Sequence, residues 1–133
     1  MGRSGKIFLV LFLIYLGMIA WCCFGHFESL PDVKKDFFGI PTDKVVHFVM
    51  FLPFVILGYP SFRSLGKSRG RKVLIFMSVL LAGALIAGAT EVGQSLTDYR
   101  SGDPLDMAAD MAGLVTGAVL TLIATLINKR RTN

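Results

Sequence analysis

Residues 7–27, IFLVLFLIYLGMIAWCCFGHF, contain no Asp, Glu, Lys or Arg. Three further charge-free stretches of 18 residues each follow at residues 45–62, 73–90 and 111–128. An 18-residue helix is about 27 Å long, close to the hydrocarbon thickness of a bilayer. None of the stretches has the polar stripe that a helix of a soluble bundle shows at helical period. The sequence therefore predicts an all-α protein, a bundle of four transmembrane helices.

The composition agrees with a membrane protein whose partner is the lipid bilayer. Only 17% of the 133 residues are charged, against about a quarter in a soluble domain. This excludes a disulfide scaffold, a disordered chain and, despite the net charge of +5, a nucleic-acid-binding protein. We predict one domain over residues 1–133, with helices at about 7–24, 43–60, 72–94 and 104–128. The first helix is expected to be a retained signal anchor, because no small-x-small cleavage site closes it.

Charge predicts how the chain crosses the membrane. Ten of the 14 Lys and Arg residues lie before the first helix, between the second and third, or after the fourth. All nine acidic residues lie in the two other connections, within residues 25–44 and 91–110. Lys and Arg are retained in the cytoplasm during insertion. Both termini are therefore expected to be cytoplasmic.

This topology predicts the outcome of cysteine labelling in intact cells. In a background without Cys22 and Cys23, a membrane-impermeant thiol reagent should modify Ser101→Cys and leave Ser68→Cys unmodified until the cells are opened. Modification of Ser68→Cys from outside would contradict the orientation.

Two features of the apolar stretches predict helix packing. Pro53 lacks a backbone N–H, so we expect the second helix to be interrupted near Leu52 and a neighbouring helix to satisfy the freed carbonyl. Small residues let two backbones approach closely in lipid, so the third and fourth helices are expected to be the closest pair, with axes about 8 Å or less apart. The small residues that would face each other are Gly83, Ala84, Ala87 and Gly88 on the third helix and Gly113 and Gly117 on the fourth.

Polar residues gather at the predicted outer end of the bundle. Spacings of three and four place the acids of the fourth helix on the face that carries Gly113 and Gly117. The second and third helices and the last connection bring further polar groups to the same end. The predicted ligand-binding residues are Asp43, Lys44, His47, Glu91, Gln94, Arg100, Asp103, Asp106 and Asp110.

Structural roles explain part of this set. Asp103 and Asp106 suit caps at the N-terminus of the fourth helix, and Glu91 with Arg100 suits an ion pair. The five carboxylates still outnumber the cations Lys44 and Arg100 by three. At low dielectric this excess requires protonation, a metal or a cationic ligand. A divalent metal would be held by His47, Glu91 and Asp106.

The segments DKVVHF at residues 43–48, EVGQ at 91–94 and RSGDPLD at 100–106, followed by Gly113-x-x-x-Gly117, resemble the VanZ-like family of small bacterial membrane proteins. That family has D-K-x-x-H on one helix, E-x-x-Q ending another, and R…D-x-x-x-N-x-x-G opening the last. Asp110 stands here in place of the family's Asn. The resemblance implies an integral, multi-pass protein of the bacterial inner membrane, and a founding member of the family is associated with resistance to the glycopeptide teicoplanin. It implies no agreed enzymatic activity.

Three functions remain open from the sequence. The first is a protein that binds a cell-envelope ligand at the outer face, such as a lipid-linked wall precursor or a glycopeptide. The second is a metal-dependent membrane enzyme acting on an envelope lipid. The third is a small proton- or cation-coupled transporter, against which stands the lack of charge in the inner halves of all four helices.

Overall fold

The computed structural model describes residues 2–25, 36–37, 39–96 and 103–131. Strands β1 (Asp36–Phe37) and β2 (Ile40–Pro41) pair antiparallel just before the second span, and a 3-10 turn (Arg63–Leu65) ends that span. The five helices are α1 (Arg3–Phe24), α2 (Thr42–Phe51), α3 (Pro53–Phe62), α4 (Arg69–Ser95) and α5 (Pro104–Arg131).

Four helical stretches are long and apolar enough to cross a membrane: Arg3–Phe24, Thr42–Leu65, Arg69–Ser95 and Pro104–Arg130. The second of these joins α2, α3 and the 3-10 turn. The predicted all-α architecture of four spanning helices is confirmed, while the cytoplasmic placement of the termini stays a prediction. The third span begins three residues earlier than predicted because the Ser68 hydroxyl accepts a hydrogen bond from the Arg71 amide and caps α4.

The second span is interrupted where the proline predicts it. α2 ends at Phe51 and α3 begins at Pro53, although Leu52 between them keeps helical dihedral angles (φ −56°, ψ −41°). The hydroxyl of Tyr15 on α1 donates a hydrogen bond of 2.6 Å to the Met50 carbonyl oxygen, beside the interruption. The carbonyl that Pro53 deprives of its helical donor is that of Val49, four residues earlier. The donor from α1 goes to the next carbonyl, so a partner for the freed one stays a prediction.

Aromatic rings fill the core between α1 and α3. Phe54 is 1% exposed, and its ring meets that of Phe12 edge to face at 5.2 Å between centroids. Gly58 allows this approach, since a Cβ there would lie 3.2 Å from the Phe12 ring and 2.8 Å from Val79 on α4. Such pairs contribute about 0.5–1.5 kcal/mol beyond the area that they bury.

The prediction that Gly113 and Gly117 face α4 is wrong. A Cβ on Gly113 would collide with the Phe48 carbonyl oxygen, and one on Gly117 with the Leu52 carbonyl oxygen. The glycines therefore bring the backbone of α5 against α2, and these two helices form the most extensive contact in the described part of the chain. α4 meets α5 through the side chain of Leu114, which lies against Gly83 of α4.

The reason for this choice of partner lies on the same face of α5. Gly113 and Gly117 continue the line of Asp103, Asp106 and Asp110, and these acids pair with basic residues of α2. A rigid helix that aligns its acids with α2 must align its glycines with α2 as well.

Candidate functional site

Opposite charges face each other at the acidic end, the end of the bundle where α2 and α5 begin and α4 finishes. Lys44 and His47 lie one turn apart on α2. Asp103 precedes α5, and Asp106 and Asp110 follow on successive turns of it. Residues three or four apart share a helix face, so the two sets meet along one seam.

The Lys44 ammonium is the centre of the first group of contacts. Its Nζ donates to Asp43 Oδ2 at 3.0 Å, to Asp103 Oδ2 at 2.5 Å and to Asp106 Oδ1. The Lys44 side chain is only 14% exposed, so these pairs are less screened by water than ordinary surface ion pairs. One cation thus holds three carboxylates and ties the start of α2 to the start of α5.

Asp103 has two roles at once. Its Oδ1 accepts a hydrogen bond of 2.9 Å from the Leu105 amide, which confirms the predicted N-cap of α5. Its other oxygen accepts from Lys44, and this hydrogen bond holds the pKa of the Asp103 carboxyl below its usual value. The cap therefore stays ionised into acidic conditions.

His47 extends the polar contacts toward the middle of the membrane. Its ring is 8% exposed, with Nδ1 2.9 Å from Asp110 Oδ1 and Nε2 3.6 Å from Asp106 Oδ2. A ring that carries both N–H groups can donate toward both carboxylates. Asp110 stands at the position of the family's usual Asn, and it presents an acid to this imidazole where the family has an amide.

Three buried oxygens at this end lack a hydrogen-bond partner among the described residues. They are Asp110 Oδ2 and both carboxylate oxygens of Glu91. Asp110 is completely buried, and a buried acceptor that has lost water without gaining a donor costs about 1–3 kcal/mol, more if it is charged. These oxygens are the part of the site that its own cations do not satisfy.

The packing of α4 on α5 sets the height of Glu91. A Cβ on Gly83 would lie 2.5 Å from Leu114, and one on Gly88 would lie 3.9 Å from Met107. The helices are therefore antiparallel neighbours, and Glu91, three residues beyond Gly88, is level with the first turn of α5. The sequence placed Glu91 opposite the Asp106–Asp110 turn; Glu91 makes no hydrogen bond among the described residues, so the site that it would share with those acids stays a prediction.

Six of the nine predicted site residues meet at the seam of α2 and α5: Asp43, Lys44, His47, Asp103, Asp106 and Asp110. Besides Glu91, two predicted residues lie outside this group, Gln94 and Arg100. Gln94 is buried, and its Nε2 donates at 3.4 Å to the carbonyl oxygen of Cys23 on α1. A backbone acceptor leaves no signal in the sequence, so this link was not predictable. Arg100 lies outside the described residues, and its ion pair with Glu91 stays a prediction.

The donors do not favour the divalent metal that the sequence suggested. In the described part of the chain, the acids that come within 4.8 Å of one another are Asp43, Asp103 and Asp106, without Glu91. Lys44 already lies among them, and both nitrogens of His47 face carboxylates. A protein cation fills the place that a metal ion would take, so no chemistry is derived through a metal.

Comparison with known families decides the identity of this arrangement. The family model described as VanZ/LLP1 matches residues 5–125, all but the ends of the chain. The chain belongs to the VanZ/LLP1 family. It is a multi-pass membrane protein, and the motifs that carry the resemblance include DKVVHF on α2, EVGQ near the end of α4 and the residues that open α5. A search of curated proteins found no match, and a search of solved structures found none.

Proposed function

We propose that this VanZ/LLP1 protein binds the polar part of a cell-envelope ligand at its acidic end, on the outer face of the bacterial inner membrane. The observation that carries the proposal is the group of buried oxygens on Asp110 and Glu91 that no described residue satisfies. A ligand with hydroxyl or ammonium donors would supply what they lack. Lipid-linked wall precursors and glycopeptides carry such donors, and both reach this face.

The position of the site suits a ligand at the membrane boundary. Exposure falls along the seam from Asp103 (39%) through Asp106 (14%) to Asp110 (1%). A polar headgroup could enter from water while a lipid tail stays in the bilayer. Protection against teicoplanin, the phenotype associated with the family, would follow from capture of either the drug or its target.

A transporter has less support. The buried polar side chains further from the acidic end include Ser61 and Thr121, whose hydroxyls donate to carbonyls one turn back in their own helices. In the described part of the chain they are satisfied locally and do not extend the acidic group toward the other end.

Glu91→Gln tests the proposal, because it removes the charge and keeps the shape. Binding of a lipid-linked disaccharide-pentapeptide and of teicoplanin to the purified protein would be measured by thermophoresis. We expect the affinity for at least one probe to fall about tenfold or more, as for a hydrogen bond to a charged group. Unfolding temperature should hold or rise, since the carboxylate has no described partner to lose.

Two controls accompany this variant. Ser95 lies one turn beyond Glu91 on α4, and Ser95→Ala removes a hydroxyl that donates to the Val92 carbonyl. Asp36→Asn removes one acid from the connection before α2. Both should bind like the unchanged protein. In cells, teicoplanin tolerance should fall with Glu91→Gln at equal membrane abundance. Equal affinities for Glu91→Gln and the controls, or no binding of either probe, would refute the proposed ligands.

A further inference from the structure

An open cavity with basic side chains lies at the basic end, where α1 and α4 begin and α3 finishes. Its volume is about 450 Å³, and it is enclosed by the first turn of α1, the end of α3 with the turn that follows, and the start of α4. Three cationic side chains line it, those of Arg3, Arg63 and Lys72. The cavity therefore gathers positive charge from three helices at one point.

Among the described residues, these three cations have no counter-ion. All nine acidic residues of the chain lie within residues 28–43 and 91–110, and the described acids that form ion pairs do so at the acidic end. Among the described residues, no side-chain hydrogen bond or ion pair involves Arg3, Arg63 or Lys72. Three like charges around one cavity repel each other, and an anion between them would remove that repulsion.

The backbone adds donors in the same place. The N-cap of α1 is Gly2, which provides no side-chain acceptor for the first helical amides. Gly2, Arg3, Ser4 and Gly5 all line the cavity. The first amides of a helix have no partner within it and carry the positive end of its dipole, which favours phosphate.

An apolar groove adjoins the cavity and indicates that the anion is part of a lipid. The groove has a volume of about 430 Å³ and runs between α1, α3 and α5. It shares Phe8, Pro60 and Arg63 with the basic cavity. It continues along Leu120 and Ala124 of α5 toward the middle of that span. A free phosphate would make no contact with such a groove, whereas the acyl chain of a phospholipid would fill it.

We propose that the basic end binds one anionic phospholipid, with its phosphate among Arg3, Arg63 and Lys72 and an acyl chain in the groove beside Ala124. This site is independent of the acidic end and of any ligand bound there. The lipid would hold the starts of α1 and α4 against the end of α3.

The test uses full-length protein in neutral detergent and native mass spectrometry. Dioleoyl phosphatidylglycerol, dioleoyl phosphatidylcholine and glycerol phosphate would be titrated separately. We expect phosphatidylglycerol to bind at one saturable site, and the other two at least about tenfold more weakly. The triple variant Arg3→Gln, Arg63→Gln, Lys72→Gln should lose at least about tenfold in affinity for phosphatidylglycerol, because each basic residue near an anionic headgroup contributes appreciably.

A matched triple variant controls for net charge. Lys67→Gln, Arg69→Gln and Arg71→Gln remove the same number of charges from the same end of the bundle, at exposed residues that do not line the cavity. Affinity should stay within about twofold of the unchanged protein, since bulk charge acts only weakly through salt. Equal losses in both triple variants would overturn the site and leave only a charged surface.

A variant of the groove separates a lipid from a free anion. Ala124 is exposed on α5 and lines the groove but not the basic cavity, so Ala124→Trp should fold and fill the groove where the acyl chain would lie. It should weaken phosphatidylglycerol and leave glycerol phosphate unchanged. Glycerol phosphate binding as tightly as phosphatidylglycerol, or no effect of Ala124→Trp on the lipid, would overturn the proposal that a phospholipid is the occupant.

Discussion

The His47→Ala variant should lose about 3–5 kcal/mol of stability, the usual cost of removing one partner from a buried ion pair. Asp110 is completely buried, and the hydrogen bond to its Oδ1 comes from His47 at 2.9 Å. Its Oδ2 already lacks a partner among the described residues. Without the imidazole the carboxyl would be left with no described donor. Unfolding in mixed micelles by increasing denaturing detergent would measure the loss.

Two further variants define the cause. Val46→Ala, at a 53% exposed neighbour on α2, should change the unfolding midpoint little. Replacing His47 and Asp110 together by Leu should recover most of the lost stability, because apolar residues of similar volume often substitute for a buried ion pair without cost. If His47→Ala unfolds like the unchanged protein, Asp110 does not depend on the imidazole.

The Gly113→Ala variant should destabilise the bundle by about 3 kcal/mol, the upper end of the usual cost of overpacking. The added Cβ would collide with the Phe48 carbonyl oxygen. That obstacle is backbone in the middle of a helix, so no side-chain rotation can relieve the clash. α5 must move away from α2, which also lengthens the ion pairs of Lys44. The same unfolding assay measures the effect.

Gly17→Ala is the matched control for this prediction. Gly17 lies within α1, and a Cβ there would meet no heavy atom within 4 Å. The substitution should be neutral or slightly stabilising, because Ala favours a helix more than Gly does. If Gly113→Ala has the same unfolding midpoint as Gly17→Ala and the unchanged protein, α5 and α2 do not touch through their backbones.

Much of the fold could be predicted from the sequence because the membrane restricts the choices. Charge-free length identified the four spans, Pro53 located the interruption, and the order of acids and small residues gave one face of α5. The N-cap at Asp103 followed from residue type and position alone. These features depend on neighbours in the sequence, which periodicity describes well.

The sequence assigned Gly113 and Gly117 to α4 instead of α2, and the reason for this error is physical. Small residues on α4 and α5 were paired because both helices have them, although small residues carry no information about which surface they meet. Charge does carry that information. Lys44 and His47 on α2 repeat the spacing of Asp103 and Asp106 on α5, and this complementarity could have assigned the seam correctly.

Other parts of the site could not be read from residue types. The donor at the interruption is Tyr15, and the acceptor of Gln94 is a backbone carbonyl on α1. Both links depend on how α1 is rotated against the other helices. α1 is apolar around most of its circumference, so no pattern in its sequence sets that rotation.

The interruption at Leu52 divides the second span into two helices that pack on different neighbours. Its first half, α2, is held to α5 by ion pairs and by Gly113, while its second half, α3, packs on α1 through the rings of Phe12 and Phe54. A continuous helix is stiffened by hydrogen bonds from each amide to the carbonyl four residues earlier. Pro53 removes one of these bonds, which makes the helix easier to bend at that point. We therefore expect a movement of α2 at the acidic end to pass to α3 less completely than along an uninterrupted helix, so that α5, which packs on both α2 and α3, is the main link between the two ends.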